Sequence, residues 1–283
     1  MASAEEDGIK ILSWNINGLK SKFKKQEVFD TFNEYDVVLL QETKIGKPDT
    51  GTKKKDDDDW KIIKKLSDEE YALEKLEDLE FNEDETQQET MYMTYFSSNS
   101  RGVAILINKP HTLLSAFSEG GDYAWVHVDI GNQKYTFVSV YCCGRDQNLI
   151  CNVMLKIFYS FLTNAVDALN SRLVIGGDFN TTLDPKLDAN KEIKAHSAGR
   201  ARLTECMTIT KLSDIWRKKN DSKRKYTYFH NNETKSRLDY VFMLKKDENY
   251  VINCDIHNEI KLSDHSPVSL TLKVNNAYTN PEE

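Results

Sequence analysis

The sequence predicts an α/β domain in which helices cover a core of apolar β-strands. Short apolar runs recur along the 283 residues, helical segments separate several of them, and 39% of the residues are apolar. A strand–helix–strand unit with strands apolar throughout is typical of a sheet covered by helices on its faces. The chain has no internal repeat and no linker rich in Pro and Gly, so a single domain is favoured.

The elements follow from the spacing of apolar residues. Residues 9–14 predict a buried strand, residues 21–33 a short amphipathic helix, and residues 37–41 a second buried strand. Further strands are predicted at 92–96, 102–107, 123–130 and 135–141, followed by a helix at 149–169. The last part predicts a strand at 172–176, a helix at 199–212, and strands at 226–229, 238–244, 251–256 and 267–272.

Residues 46–90 form an acidic insertion in this pattern. Residues 56–90 hold 15 acidic and four basic residues, so the rest of the chain is net +4 although the whole is net −7. A mildly basic remainder is compatible with a phosphate-binding face, and we expect the insertion to lie away from that face. The capping box Ser67-Asp-Glu-Glu70 predicts a short surface helix there, and a loosely attached loop is the alternative.

The cysteines and the termini indicate a reducing compartment. The five cysteines are odd in number, two are adjacent and none forms a C-x-x-C pair, which argues against a disulfide framework or a zinc site. No apolar segment resembles a secretory signal or approaches the ~20 residues that cross a membrane. We expect residues 1–8 to be an N-terminal extension, 9–274 the domain, and 275–283 a tail or a linker to a downstream region.

Polar side chains recur where the predicted apolar strands end. They are Asn15, Asn17, Gln41, Glu42, Tyr141, Asp178, Asn180, Asp239, Asp264 and His265. Ligands in α/β folds gather at strand ends, so these groups can converge although they are far apart in sequence. Each has an ordinary explanation on its own, such as a turn at Asn17-Gly18 or a surface ion pair between Asp239 and Arg237.

Together these residue types suit metal-assisted hydrolysis of a phosphoester. Mg²⁺ prefers oxygen ligands, usually one or two carboxylates with waters and substrate phosphate, and Glu42 with the nearby Asn15 can supply them. Asp178 can orient and deprotonate the attacking water.

Charge that builds on the phosphoryl oxygens needs donors or a metal ion to stabilise it. His265, Asn180 and the hydroxyl of Tyr141 can donate, and Asp239 can hold His265 in one tautomer and support its protonated form.

Five motifs follow one another along the chain. They are Ser13-Trp-Asn15-Ile-Asn17-Gly18-Leu19, Gln41-Glu42-Thr43, Gly177-Asp178-Phe179-Asn180, Ser236-Arg-Leu-Asp239-Tyr240 and Ser263-Asp264-His265-Ser-Pro267. In this order they resemble the motifs of the exonuclease III / apurinic endonuclease / deoxyribonuclease I phosphodiesterase superfamily, over residues 9–272. The resemblance implies a four-layer α/β sandwich of two packed mixed sheets flanked by helices, and an enzyme that is a divalent-metal-dependent phosphodiesterase.

Within that superfamily the chain most resembles the endonuclease domain of LINE-type non-LTR retrotransposons. The segments that carry this resemblance are SRGVAILI at 100–107, LSDIWR at 212–217, and YTYF at 226–229 followed by SRLD at 236–239. It implies a hydrolase that uses Mg²⁺, with Mn²⁺ as a substitute, to nick double-stranded DNA. The 3′-hydroxyl left at the nick primes reverse transcription. The implied setting is a domain that is monomeric in isolation, fused to a reverse transcriptase, synthesised in the cytoplasm and active in the nucleus.

The resemblance also assigns roles at matching positions. Metal binding falls to Glu42, Asn15 and Asp264, and orientation of the water to Asp178. Contact with the scissile phosphate falls to Asn180, Tyr141 and His265, with Asp239 supporting His265. Contact with DNA falls to Asn17, Thr227, Ser236 and Arg237, and the hairpin at 230–235 matches a loop that influences target choice. Where the family usually reads Y-x-P, this chain has Tyr141-Cys-Cys-Gly144.

Other functions stay open. An apurinic-site repair endonuclease of the same fold usually reads S-D-H-C-P, whereas Ser266 stands here in place of the cysteine. A relative that acts on RNA or a phosphoinositide is another option. A catalytically silent DNA-binding or scaffold module predicts losses in the core motifs, and all five are intact.

Overall fold

The computed structural model describes ten stretches of the chain. They are residues 8–22, 24–45, 86–87, 90–93, 100–119, 121–142, 171–191, 193, 196–230 and 234–274. The capping box at 67–70, nearly all of the acidic insertion and the helix predicted at 149–169 fall outside the described residues. The domain boundaries stay a prediction.

The described elements are mostly strands, with a few short helices among them. In chain order they are β1 Gly8–Asn15, α1 Leu19–Lys22, α2 Gln26–Asn33, β2 Val37–Gln41, β3 Thr86–Gln87, β4 Thr90–Met93, β5 Val103–Ile107, β6 His111–Glu119, β7 Tyr123–Ile130, β8 Gln133–Tyr141, β9 Arg172–Asp178, α3 Ser197–Thr210, β10 Leu212–Asp214, α4 Ile215–Lys219, β11 Tyr228–His230, β12 Thr234–Ser236, β13 Asp239–Leu244, a 3-10 helix Lys245–Tyr250, β14 Val251–Ile256 and β15 Val268–Lys273. Among the described helices none is long and apolar enough to span a membrane.

Two mixed sheets form the frame. The first has six strands in the order β14-β15-β1-β2-β5-β4, and the second has seven in the order β10-β13-β9-β8-β7-β6-β3. In each sheet one central pair is parallel, β1 with β2 and β8 with β9. The strands β11 and β12 make a separate two-stranded ribbon.

Alternation along the strands divides the core into layers. In β1, Ile9 and Ile11 join the cluster between the two sheets, while Leu12 and Trp14 pack with Phe32 of α2 on the outer face. On the second sheet, α3 covers the outer face in the same way, through residues 203 and 206. Helix, sheet, sheet and helix therefore form four layers, and the predicted four-layer α/β sandwich is confirmed.

Most of the predicted strands are confirmed. Two predicted helices and strand β6 differ from the prediction, and the differences are local. The predicted helix at 21–33 is broken into α1 and α2, and the helix at 199–212 ends early because Lys211 takes a left-handed conformation with φ 57°. Strand β6 was not predicted. Its apolar residues do not alternate, and its register shifts between Leu113 and Ser115, which hides the two-residue period.

Strand β9 carries two glycines, Gly176 and Gly177, directly before Asp178. A Cβ at Gly176 would lie 2.8 Å from the side chain of Ser13 across the sandwich, and a Cβ at Gly177 would lie 2.1 Å from the carbonyl oxygen of Val140 on the neighbouring strand β8. Both positions therefore require glycine. Gly176 lets β9 run close to β1 in the facing sheet, and Gly177 fits against β8 within the same sheet.

The described cysteines are Cys142, Cys206 and Cys254, and all three are buried free thiols. The other two cysteines of the sequence, at 143 and 151, fall outside the described residues.

Candidate active site

Polar residues end the inward-facing rows of four strands. In the second sheet Tyr141, Asp178 and Asp239 are direct neighbours across β8, β9 and β13, which puts their Cα atoms about 5 Å apart. Asn15 ends the inward row of β1 in the facing sheet and donates from Nδ2 to Asp178 Oδ2 at 2.9 Å. The convergence expected from the strand ends is therefore present in the fold.

His265 completes a buried cluster with two of these carboxylates. Its Nδ1 lies 2.8 Å from Asp239 Oδ2, and its Nε2 lies 3.9 Å from Asp178 Oδ2. Burial by itself would lower the pKa of His265, but the charges of Asp239 and then Asp178 outweigh it and raise the pKa to about 10. The imidazole is therefore protonated at neutral pH, with Nε2 directed toward Asp178.

Asp178 has the environment of a general base. Burial, and after it the charge of Asp239, raises the pKa of Asp178 to about 7. Its Oδ1 accepts from the backbone N–H of Asn180 at 2.8 Å, which fixes the carboxylate plane. A carboxylate with a pKa near the working pH is suited to take a proton from water.

Glu42 and Asp264 form a more exposed rim on the side of the first sheet. Glu42 Oε1 accepts from Asn15 Nδ2 at 2.9 Å, and Asp264 Oδ1 accepts from Asn17 Nδ2 at 2.8 Å. Burial would raise the pKa of Asp264, but the bond from Asn17 and the charge of His265 hold it below its ordinary value. Two carboxylates thus lie at the solvent-facing edge of the site.

Strained backbone is concentrated here. Among the described non-glycine residues, six have positive φ, and four of these lie at the site: Asn17 at 49°, Glu42 at 50°, Lys44 at 56° and Asn180 at 46°. Each left-handed residue costs roughly 1–2 kcal/mol. The surrounding fold therefore holds these residues in place against their own preference.

The loop that carries Asp264 and His265 is fastened to both sides of the site. Trp14 Nε1 donates to the carbonyl oxygen of His265 at 2.9 Å, and Ser263 Oγ donates to the carbonyl oxygen of Asn15 at 2.8 Å. On the other side the N–H of Ser266 donates to the carbonyl of Thr227 at 2.7 Å. The imidazole is thus positioned by backbone contacts as well as by Asp239.

Two phosphate-contact residues of the prediction lie beside Asp178. Asn180 Nδ2 donates to the carbonyl oxygen of Cys142 at 2.8 Å, which ties the turn after β9 to the end of β8. Tyr141 is partly buried at that strand end and packs on the central core. Their contact with phosphate stays a prediction.

Three of the four residues expected to contact DNA have buried side chains, and their contact with DNA stays a prediction. Arg237 is 1% exposed and binds Asp188 and Asp214 through its guanidinium nitrogens, at 2.7 to 3.0 Å. Thr227 Oγ1 accepts from the N–H of Asp239 at 3.1 Å, and the side chain of Ser236 is enclosed. Asn17 remains at the surface.

Arg237 also does not pair with Asp239, which was the ordinary explanation for that aspartate. The carboxylate of Asp239 is taken by His265 instead.

Two residues at the site were not predicted. Lys44 Nζ pairs with Glu42 Oε2 at 2.9 Å and donates to Asn17 Oδ1. The ring of Tyr228 lies 4.8 Å from that of His265. A lysine two residues after Glu42 and a tyrosine inside YTYF were visible signals, but neither pattern shows which way the side chain points.

The residues present fit a divalent cation, and the donor set favours the rim. Ligand atoms of Asp178, Asp239 and His265 lie within 4.8 Å of one another, and Asp239 Oδ1 is buried without a hydrogen-bond partner among the described residues. A protonated His265 has no lone pair for a metal, so hard oxygen ligands at Glu42 and Asp264 suit Mg²⁺ better. Asn15 turns its amide nitrogen toward Glu42, and its role as a metal ligand stays a prediction.

The fold and the site define a hydrolase of phosphoesters. A family profile described as the Endonuclease/Exonuclease/phosphatase family matches residues 12–265. The chain therefore belongs to the Endonuclease/Exonuclease/phosphatase family, which confirms the predicted superfamily and enzyme class.

Solved structures with the same fold cover 94% of the chain. The AP endonuclease LMAP of Leishmania major has a TM-score of 0.68 at 16% identity, with 88% of that chain covered. The APE2 catalytic domain of Xenopus laevis has a TM-score of 0.64 at 19% sequence identity, with 92% of that chain covered. An AP endonuclease of Archaeoglobus fulgidus has a TM-score of 0.65 at 17% sequence identity, with 100% of that chain covered. A comparison with curated protein sequences gave no match.

Proposed function

We propose that this chain is the endonuclease domain of a non-LTR retrotransposon, which nicks double-stranded DNA with the help of Mg²⁺. The observation that supports the chemistry best is the pairing of Asp178, with a pKa of about 7, with His265, with a pKa of about 10. One group can accept a proton at neutral pH while its neighbour keeps one. The resemblance of residues 100–107, 212–217, 226–229 and 236–239 to the LINE-type domain supports the biological role.

In the proposed reaction, water attacks phosphorus and the bond to the 3′ oxygen breaks. Asp178 takes the proton of the water, and the protonated Nε2 of His265 donates to a phosphoryl oxygen as negative charge builds there. Asp239 keeps the imidazolium in place through its 2.8 Å bond to Nδ1. Asn180 and Tyr141 add donors to the phosphate. The departing 3′ oxygen takes up a proton from solvent, so the products are a 3′-hydroxyl and a 5′-phosphate.

Glu42 and Asp264 would hold the Mg²⁺, with Asn15 as the third predicted ligand. The bound ion supplies Lewis-acid stabilisation of charge on the phosphoryl and leaving oxygens. In the same proposal the domain acts in the nucleus as part of a longer protein with a reverse transcriptase, and it is monomeric in isolation.

Cleavage at apurinic sites is a second candidate, favoured because two of the structural neighbours described above are AP endonucleases. The structural neighbours are 16–19% identical to this chain, so the likeness shows a shared fold and does not show a shared substrate. Ser266, in place of the usual cysteine of that group, favours intact DNA.

One experiment separates these functions. Supercoiled plasmid and a duplex with a single abasic site are incubated with the protein in Mg²⁺ or EDTA, and the nicks are tested for extension by a DNA polymerase. We expect Mg²⁺-dependent nicks in plain plasmid that the polymerase extends. A strong preference for the abasic duplex would favour repair, and no cleavage of either substrate would reject the proposal.

A further inference from the structure

Residues 217–225, which we name the basic turn, take no part in the site described above. The segment holds six basic residues and one acidic residue. The segment begins in the last turn of α4 and leads toward β11. The ring of Tyr228 in β11 lies 4.8 Å from the ring of His265. A run of charged residues is often only a solvated surface. Three properties decide whether this one has a ligand: how firmly its backbone is held, how many of its charges are in ion pairs, and how far it lies from the site.

The backbone of the basic turn is fixed from inside. Arg217 Nη1 donates to the carbonyl oxygens of Asn220 at 2.9 Å and Lys223 at 2.7 Å. Its Nη2 binds Asp188 Oδ1 at 2.5 Å, the same buried carboxylate that binds Arg237. The guanidinium thus anchors the turn to the protein core. A surface held in one shape loses less entropy when it binds a partner.

Three cations of the basic turn have no ion-pair partner among the described residues: Lys219 donates to a backbone carbonyl oxygen at 3.2 Å, and the other two are adjacent and exposed. Lys225 pairs with Asp255 at 2.9 Å, and Lys218 lies 3.6 Å from Glu248. Lys223 and Arg224 are exposed, and neither has an ion-pair partner in the part of the chain that the structure describes. Two adjacent positive charges on a fixed turn suit a polyanion.

The turn lies within reach of the same duplex that the site would hold. Lys223 is five residues from Tyr228, so the two are at most about 17 Å apart. One strand of B-DNA presents a phosphate every 3.4 Å along its axis, so about five phosphates span that distance. A duplex that extends from His265 past Tyr228 therefore presents phosphates within the reach of the basic turn.

We propose that the basic turn binds the phosphate backbone of double-stranded DNA next to the nick, through Lys223 and Arg224. This inference rests on the proposed function. The contact carries affinity and not sequence choice, because a flexible cation on a phosphate reads no base edge.

The test is the salt dependence of duplex binding by the full chain. Fluorescence anisotropy in EDTA, which prevents cutting, gives the dissociation constant between 50 and 200 mM KCl for two unrelated 30-bp duplexes. Each lost phosphate contact reduces the slope of log affinity against log salt by about 0.9, so Lys223→Ser/Arg224→Ser should reduce it by about 1.8. Over this fourfold range the wild type then loses about 12 times more affinity than the variant.

The matched control is Lys10→Ser/Lys273→Ser, which removes the same charge from exposed positions on β1 and β15. These two residues lie at the strand ends opposite Asn15 and His265. The salt-dependence slope of this control variant should equal that of the wild type. Thermal unfolding should show the same midpoint for both double variants.

Equal slopes for the two double variants would overturn the inference, and so would a loss confined to one of the duplexes. If the wild type nicks plasmid while the slopes are equal, only the inference fails. If the wild type neither binds nor nicks duplex DNA, the proposed function fails with it.

Discussion

Two buried charge clusters are centred two residues apart in the chain, at Arg237 and at Asp239, and they are built in opposite ways. At Arg237, two carboxylates meet two guanidiniums at distances of 2.5 to 3.0 Å. At Asp239, two carboxylates share one imidazole, and Asp239 Oδ1 has no hydrogen-bond partner among the described residues.

The pKa values carry the same contrast. Burial would raise the pKa of Asp188, but Arg237 holds it below its ordinary value. Burial and then Asp239 raise the pKa of Asp178 to about 7. The carboxylates of the first cluster are satisfied by close cations, and this cluster stabilises the fold. The second is unsatisfied, which is the state expected of groups that must exchange protons with a substrate.

The largest expected effect is on catalysis at the unsatisfied cluster. Asp178→Asn and His265→Ala should each lower the Mg²⁺-dependent nicking rate by about 10²- to 10⁴-fold, because each removes a proton-transfer or charge-stabilising group. The measurement is plasmid nicking at saturating DNA. His257→Ala, a nearby and more exposed histidine, is the control and should stay within about twofold. A near-normal rate in either site variant would remove that residue from the reaction.

The satisfied cluster should govern stability instead. Arg237→Met leaves buried carboxylates without their cation, which costs about 3–5 kcal/mol of unfolding free energy. Urea denaturation at pH 7.5 measures it. Arg202→Met, whose side chain is 52% exposed on α3, should change stability by no more than about 0.5 kcal/mol. Equal stabilities of the two variants would show that the Arg237 cluster contributes nothing.

Thr227 links the two clusters, and a smaller effect is expected there. Its Oγ1 accepts from the N–H groups of Leu238 and Asp239. Thr227→Val leaves these buried donors unpaired and should cost about 1–3 kcal/mol, while Thr227→Ser keeps the acceptor. Urea denaturation of both variants checks this. Indistinguishable unfolding curves would mean that other groups satisfy the two donors.

The last expected difference is in the pH dependence of stability. The folded pKa of Asp178 is above its unfolded value, so the folded state binds more protons and stability falls as pH rises from about 4 to about 7. The lowered pKa of Asp188 has the opposite sign, so its contribution is lost as pH falls below about 4.

Urea denaturation from pH 3 to 9 tests this pair of signs. Asp178→Asn should lose the decline between pH 5 and 7 and keep the decline in acid. A wild-type protein whose stability rises steadily to pH 7 would contradict the burial argument for Asp178.

The sequence by itself determined the layered architecture and which residues make up the site. Continuous apolar runs such as residues 37–41 form strands wherever both faces are covered, and the structure places β2 there. The five motifs identify Glu42, Asp178, Asp239 and His265 because each follows or begins such a run, and strand ends converge in this architecture.

Only the tertiary structure decided which charges are satisfied. In the sequence, Arg237 and Asp239 are two charged residues of one motif, and nothing in the motif shows that their roles differ. Alternation of side chains along an extended segment does not separate them, because they are two residues apart. What separates them is the partner that the fold brings from far along the chain, Asp188 and Asp214 to one and His265 to the other. Burial then turns that choice of partner into a structural ion pair or a reactive cluster, because an unpaired charge is costly only where water is absent.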